Sequence, residues 1–152
     1  MSEPIYIALC GESEYIGAPV IEGLKPEIEV VNFTQASAQN AADELPYVLC
    51  GKAPLSNSSR LGTGNYGKIP QAVVLGGAAE FAADEKFKLI SSALEKEAEA
   101  RLVPILRSDK KVEMPPRGPE YGKRVIERVK AALFKLKEDG KLDGKHGGEE
   151  FY

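Results

Sequence analysis

Short apolar runs alternate with longer amphipathic stretches along the chain. Four of these runs are too short for helices and are bounded by Gly, Pro or polar turn residues, which predicts strands at 5–9, 28–33, 72–75 and 102–106. Their apolar residues are continuous rather than alternating, which is typical of strands covered on both faces of a parallel sheet. Pro104, inside the fourth run, indicates a sheet edge or a bulge.

The stretches between these runs have the periodicity of helices. The predicted helices cover 17–24, 37–51, 83–100 and 119–138. Pro19 sets the start of the first helix near Gly17, because proline fits only the first turn of a helix. Ser37 is a suitable N-cap for the second, which Pro46 breaks or restarts. Strand and helix therefore alternate through the whole chain.

Strands that alternate with helices form a parallel sheet, because right-handed crossovers return each strand in the same direction. The sequence therefore predicts an α/β fold, an open three-layer α/β/α sandwich with a four-stranded parallel sheet, Rossmann-like or flavodoxin-like. The strand orders 2-1-3-4 and 3-2-1-4 both remain open, and the short chain favours 2-1-3-4. Residues 1–140 are assigned to a single domain with a flexible loop at 52–70, and residues 141–152 to a loose polar tail.

Composition narrows the class of protein. A chain of 152 residues with 43% apolar and 28% charged residues is typical of one globular domain, and its net charge of -3 argues against nucleic-acid or membrane binding. Two cysteines, Cys10 and Cys50, and a single histidine, His146, argue against a disulfide framework, a catalytic triad and a metal site. The sequence has no membrane-length apolar run and no signal peptide, so we expect a cytoplasmic protein.

Ligands of open parallel sheets bind beyond the carboxyl ends of the strands, where the strand order reverses. Four segments are expected to meet there: 10–17, 32–37, 76–81 and 107–118. The predicted ligand-binding residues in these segments are Gly11, Glu12, Ser13, Glu14, Gly17, Gly76, Gly77, Arg107 and Arg117.

A cluster of positive charges in this region stands out against the acidic chain. Arg107, Lys110, Lys111 and Arg117 precede the last predicted helix, whose amino terminus offers free backbone N–H groups. The predicted ligand is therefore a small anion, although exposed loop charges alone would also explain the pattern. The 52–70 loop, with its GTGNYG stretch, enters the third strand at the opposite end, unless it wraps around the sheet edge.

Cys10 ends the first strand just before a helix, a position at which a helix dipole activates some thiols. The pattern of low-molecular-weight phosphatases requires an arginine six positions later, where this chain has Ile16. A buried, unreactive thiol is therefore favoured.

The first turn, Gly11-x-x-Glu14-x-x-Gly17, resembles the GxxGxxG start of atypical short-chain dehydrogenases, especially in Tyr15-Ile16-Gly17. The resemblance implies NAD(P) bound at this turn. Glu14 stands where that family has a glycine and would repel phosphate, and the second strand ends at Asn32-Phe33-Thr34, without an acidic residue for the ribose. The chain also lacks a Tyr-x-x-x-Lys pair. NAD(P) and other nucleotides are therefore disfavoured, and no cofactor or metal is assigned.

Over its full length the chain is similar to small, functionally uncharacterised α/β proteins of filamentous fungi. The stretches that carry this resemblance are VVLGGA, GPEYGKRVIERVKAAL and LKEDGKL. The resemblance implies a cytosolic eukaryotic protein and brings no catalytic residues with it.

Three functional hypotheses follow. The first is an α/β domain that binds a small, anionic or nucleotide-like ligand, with no assigned reaction; if it were an enzyme, Glu12, Ser13 and Glu14 would be the groups nearest a substrate. The second is a non-catalytic interaction or scaffold domain that forms a homodimer through the third predicted helix or the edge strand. The third is a degenerate NAD(P)-binding protein.

Overall fold

The central sheet has five parallel strands rather than the predicted four. The computed structural model describes residues 3–152. Its strands are β1 (Ile5–Gly11), β2 (Ile28–Gln35), β3 (Ala72–Leu75), β4 (Leu102–Arg107) and β5 (Lys145–Phe151). The order is β2-β1-β3-β4-β5, so the favoured order 2-1-3-4 is confirmed for the first four strands. The predicted strand count is wrong, because a fifth strand lies in the segment assigned to a tail.

The helices follow the predicted alternation with different boundaries. They are α1 (Glu14–Leu24), α2 (Ala38–Val48), α3 (Ala79–Ala82), α4 (Asp84–Glu95) and α5 (Pro119–Glu138). The first helix begins at Glu14 rather than near Gly17, since Ser13 is extended and its carbonyl accepts the first helical hydrogen bond from the Gly17 N–H at 3.0 Å. Pro19 lies inside this helix without ending it.

The helices cover both faces of the sheet. On one face, α1 and α5 pack against Ile5, Ile7 and Leu9 of β1, and on the other, α2, α3 and α4 pack around Ala8 and Cys10. Successive side chains of a strand point to opposite faces, so β1 contributes to both cores. This α/β architecture is compatible with a Rossmann-like or a flavodoxin-like fold. None of the helices within residues 3–152 is both long and apolar enough to cross a membrane.

The fifth strand pairs in parallel with β4, and its side chains are mostly exposed. Because β5 lies outside it, β4 is an interior strand. The pairing shifts register between Leu102 and Pro104, so Pro104 marks an irregularity of the ladder and not a sheet edge. A proline lacks the N–H that a regular ladder needs, which accounts for its position there.

The 52–70 loop runs along the outer edge of β2. The N–H groups of Thr63 and Gly64 donate to the carbonyls of Val30 and Val31, each at 2.9 Å. The loop then lies beside the carboxyl end of β2 at Ser58, whose hydroxyl accepts from the Gln35 N–H at 2.9 Å. The loop therefore wraps around the β2 edge of the sheet. In this way it reaches the carboxyl ends of the strands, although it enters β3 at the amino end.

A buried carboxylate holds this loop to the sheet. Glu44 of α2 is 3% exposed and accepts hydrogen bonds from the Thr34 hydroxyl and the Ser58 N–H, each at 3.0 Å. Two donors compensate for the removal of the carboxylate from water. One side chain thus joins β2, α2 and the loop.

The ring of Phe33 packs closely against the β1–α1 turn. A Cβ atom on Gly17 would lie 2.5 Å from Phe33 Cζ, and one on Gly11 would lie 3.3 Å from the same ring. Phe33 is 1% exposed and belongs to the core under α1 and α5. The two glycines therefore provide room for an aromatic ring.

We expect Gly17→Ala to destabilise the protein by about 1–3 kcal/mol, because the added methyl group must displace a buried ring. The free energy of unfolding in urea measures the effect. Combined with Phe33→Leu, the substitution should cost less than the sum of the two single changes, since the smaller side chain leaves room for the methyl group.

Gly67→Ala is the matched control. Gly67 has no atom within 4 Å of its added Cβ, so the substitution should be neutral or slightly stabilising. Equal costs at Gly17 and Gly67 would contradict the packing explanation.

Candidate functional site

The strand order reverses between β1 and β3, and a cavity of about 50 Å³ lies at the carboxyl ends of these two strands. This is the position at which open parallel sheets bind ligands. Seven of the nine predicted site residues line the cavity: Gly11, Glu12, Ser13, Gly17, Gly76, Gly77 and Arg117. Glu14 and Arg107 do not.

The walls of the cavity are mainly apolar. Leu9, Ile16, Val20 and Phe33 line the side formed by β1, α1 and β2, and Val125 of α5 lies opposite. A liquid water molecule occupies about 30 Å³, so the cavity itself holds one or two waters or a group of similar size, and its open side leaves room for the rest of a larger ligand.

A second, larger space lies near the cavity. It is an apolar groove of about 370 Å³ between α1 and α5, lined by Tyr15, Ile16, Pro19 and Ile126 among others. Ile16 lines both spaces, so the groove and the cavity are neighbours on either side of this residue. A ligand larger than the cavity would have the apolar groove beside it.

The turn after β3 approaches its neighbours closely. A Cβ atom on Gly76 would lie 3.0 Å from the Cys10 carbonyl oxygen, and one on Gly77 would lie 3.2 Å from both Tyr121 Oη and Ser108 Oγ. Neither glycine has a positive φ. These glycines are therefore needed for space rather than for an unusual backbone conformation.

Two tyrosines outside the predicted set of site residues, Tyr121 and Tyr152, also line the cavity. Tyr152, directly after β5, donates its hydroxyl to the Leu75 carbonyl at 2.7 Å, and its N–H donates to the Arg107 carbonyl at 2.9 Å. Burial raises the pKa of the Tyr152 phenol, so it stays a neutral donor. Tyr121 faces Gly77 from α5. Tyr121 falls in the predicted helix 119–138, whereas Tyr152 falls in the segment that was assigned to a polar tail.

One pair of opposite charges lies at the cavity. Arg117 Nη2 is 3.9 Å from Glu12 Oε2, and the side chains are 46% and 55% exposed, respectively. The Arg117 guanidinium also lies 5.6 Å from the centre of the Tyr121 ring. An exposed pair at this distance is weak, so Arg117 remains accessible to another anion.

Glu14 points away from the cavity toward the loop that covers β2. Its Oε2 accepts a hydrogen bond from the Ser59 hydroxyl at 2.5 Å. Glu14 is the first residue of α1, where a carboxylate also interacts favourably with the helix dipole.

Arg107 serves as a buried cross-link between β4, β5 and the α3–α4 junction. It is 7% exposed and donates to the Ala82 carbonyl at 2.8 Å, to Asp84 at 2.7 Å and to Glu149 at 2.5 Å. Its guanidinium also lies 4.7 Å from the centre of the Phe87 ring. These partners occupy both terminal nitrogens of the guanidinium, whereas its Nε is buried without a hydrogen-bond partner among residues 3–152. Arg117 is therefore the arginine at the cavity.

Cys10 lines the cavity but is suited to packing rather than to catalysis. Burial raises the pKa of its thiol, and the nearby Glu44 carboxylate raises it further. The thiolate is the reactive form of cysteine, so Cys10 is a poor nucleophile. Residues 3–152 also contain no cluster of three or more His, Cys, Asp and Glu side chains that could hold a metal ion.

These features define an α/β protein with a five-stranded parallel sheet and a small cavity where its strand order reverses. The chain is 29% identical over 141 residues to "Kojic acid related protein 6" of Aspergillus oryzae, an alignment that covers 91% of this chain and 82% of the relative. No family model matches the sequence. No solved structure matches it either. The comparison supports the resemblance to fungal proteins and does not show the resemblance to short-chain dehydrogenases.

We expect the Asp84–Arg107 pair to stabilise the protein at neutral pH and to lose this effect in acid. The Arg107 guanidinium lowers the pKa of the Asp84 carboxyl below its ordinary value of about 3.9. A lowered folded-state pKa contributes stability above about pH 4, and the contribution disappears as the pH falls through the lowered pKa. The wild type should therefore lose more stability than Asp84→Asn between about pH 6 and pH 2.5, measured by urea unfolding.

Arg107→Met provides the control background, because Asp84 has no guanidinium to bind there. In that background Asp84→Asn should change the pH dependence much less than in the wild type, since only the weaker effects of Lys110 and Lys88 on the Asp84 pKa remain. If Asp84→Asn reduces the pH dependence of the free energy of unfolding equally in the wild type and in Arg107→Met, the Asp84–Arg107 pair is not the cause of that dependence.

We expect native protein treated with iodoacetamide to be alkylated at Cys50 but not at Cys10. Cys10 is 1% exposed, so its modification requires unfolding, whereas Cys50 is partly exposed. The reaction at Cys50 should itself be slow, because partial burial raises the pKa of that thiol. Mass spectrometry should find one adduct in buffer and two in urea. Fast labelling of Cys10 in buffer would contradict its assignment as a buried core residue.

Proposed function

We propose that this protein is an α/β domain that binds a small anionic ligand in the cavity between the carboxyl ends of β1 and β3. The observation that carries the proposal is the meeting of two glycine-containing turns, Gly11–Gly17 and Gly76–Gly77, with Arg117 around one cavity at the reversal of strand order. No reaction is assigned. We also propose a flavodoxin-like rather than a Rossmann-like fold, because the strand order follows the flavodoxin pattern.

The size of the site favours a ligand smaller than a nucleotide. Pockets for drug-sized molecules usually measure about 300–1,000 Å³. The cavity of about 50 Å³ admits one small group, and the remainder of a ligand would lie outside it, against the neighbouring α1–α5 groove.

NAD(P) binding has less support. The Phe33 ring lies against Gly11 and Gly17, where a dinucleotide fingerprint needs open backbone for the pyrophosphate. Asn32, near the end of β2, is buried and accepts a hydrogen bond from the Tyr66 hydroxyl at 2.9 Å, so it is not free to hold a ribose.

A homodimer through the edge strand also has less support. β5, the edge strand beside β4, contains Lys145, Glu149 and Glu150, and its ladder with β4 is irregular. Charges and irregularities on an edge strand oppose the addition of a further strand. We retain a cytoplasmic location in the proposal, since both cysteines are free thiols.

A thermal-shift screen of the full chain tests the proposed function. The panel contains nucleotides, NAD(P), flavins, sugar phosphates and small carboxylates, with kojic acid added because it occurs in the name of the relative. At a concentration 100 times its Kd, a ligand should raise the melting temperature by about 5–10 °C. Gly77→Val should abolish the shift, because Gly77 lines the cavity and the added side chain would meet Tyr121, which also lines it, and Ser108.

Gly67→Val is the control, since this glycine lies outside the cavity and has free space at its Cβ position. It should leave the ligand-induced shift unchanged. The proposal fails if no anionic compound shifts the melting temperature, or if Gly77→Val retains the full shift.

A further inference from the structure

The charges at the cavity are few and opposed. Among the cavity-lining residues that the structure describes, Arg117 is the only cation and Glu12 the only carboxylate. They belong to different loops, the β1–α1 turn and the segment before α5, and approach to 3.9 Å. The pair therefore links the two sides of the cavity when no other anion is present.

The surroundings of Arg117 are apolar on two sides. The cavity beside it is walled by Leu9, Val20 and Phe33, and the neighbouring groove by Pro19 and Ile126. A ligand that satisfies this arrangement has an apolar body and one anionic group. The apolar body removes the walls from water, and the anionic group meets the guanidinium.

One arginine suits a single negative charge better than two. A guanidinium presents parallel N–H donors that match the two oxygens of a carboxylate. A phosphate dianion at the same position would have only Arg117 as a counter-charge and would be repelled by Glu12. The chemistry thus favours a monocarboxylate over a phosphate ester.

We propose that the ligand is a small apolar monocarboxylate whose carboxylate binds Arg117, and that Glu12 is its intramolecular competitor. This proposal rests on the proposed function and specifies the ligand class of the same site. In the free protein Glu12 neutralises Arg117, and the ligand carboxylate replaces it. Removal of a negatively charged residue from the site should therefore strengthen binding.

Titration of the full chain with benzoate, followed by NMR chemical shifts, tests the proposal. Benzoate should shift amide signals of the two cavity turns in a saturable manner, and neutral benzamide should bind at least about 10-fold more weakly. Arg117→Ala should weaken benzoate binding by a similar factor. Glu12→Gln should strengthen it about 2- to 5-fold, the range expected from loss of an exposed ion pair.

Glu120→Gln is the matched control for Glu12→Gln. It removes one negative charge three residues from Arg117, but Glu120 lies outside the cavity and pairs with Lys123 at 3.8 Å. It should change the benzoate affinity less than 2-fold. Equal increases in benzoate affinity in the two variants would mean that the overall negative potential near Arg117, and not competition between Glu12 and the ligand, controls binding. This result would overturn the role of Glu12.

The outcomes also separate this proposal from the proposed function. If a sugar phosphate binds and loses its binding in Gly77→Val while benzoate does not bind, the monocarboxylate proposal is wrong and the ligand-binding function stands. If benzamide binds as well as benzoate, or Arg117→Ala binds benzoate as the wild type does, the role of Arg117 is wrong. If no compound binds at the cavity, both proposals fail.

Discussion

The position of β1 between β2 and β3, with both of its faces buried, is the constraint on which the structure depends. Helix α1, on one face of the sheet, connects β1 to β2. Helix α2, on the opposite face, lies in the connection from β2 to β3, which pairs with the other edge of β1. The helices therefore separate above the carboxyl ends of β1 and β3. A crevice at this point follows from the connectivity of the fold, whatever side chains line it.

Aromatic packing then decides how much of this crevice stays open. Phe33, Tyr121 and Tyr152 reach it from β2, from α5 and from the end of β5, and they leave a cavity of about 50 Å³. The glycines around it give these rings and the backbone space to approach, and four of them, Gly11, Gly17, Gly76 and Gly77, have ordinary negative φ values or extended backbone. Close packing, rather than a phosphate-binding turn, explains why glycine occurs at these positions.

Buried charges away from the cavity hold the connecting segments in place. Glu44 joins the 52–70 loop to β2, and Arg107 joins β5 to the α3–α4 junction. Each has several hydrogen-bond partners, as a buried charge requires. The charges at the cavity, Arg117 and Glu12, are about half exposed and lie 3.9 Å apart, so they remain accessible to a ligand.

The sequence by itself determined the first four strands, the alternation with helices and the edge of the sheet at which a crevice forms. Short apolar runs bounded by turn residues are local signals, and the right-handed crossover fixes their common direction. Only the tertiary structure decided that KHGGEEF forms β5, because that segment has little strand propensity and is ordered by the backbone of β4. Only the tertiary structure, likewise, showed that Arg107 is buried and that Arg117 lies at the cavity. The surroundings of a side chain near the end of a strand depend on partners distant in sequence, here Glu149 for Arg107 and Glu12 for Arg117.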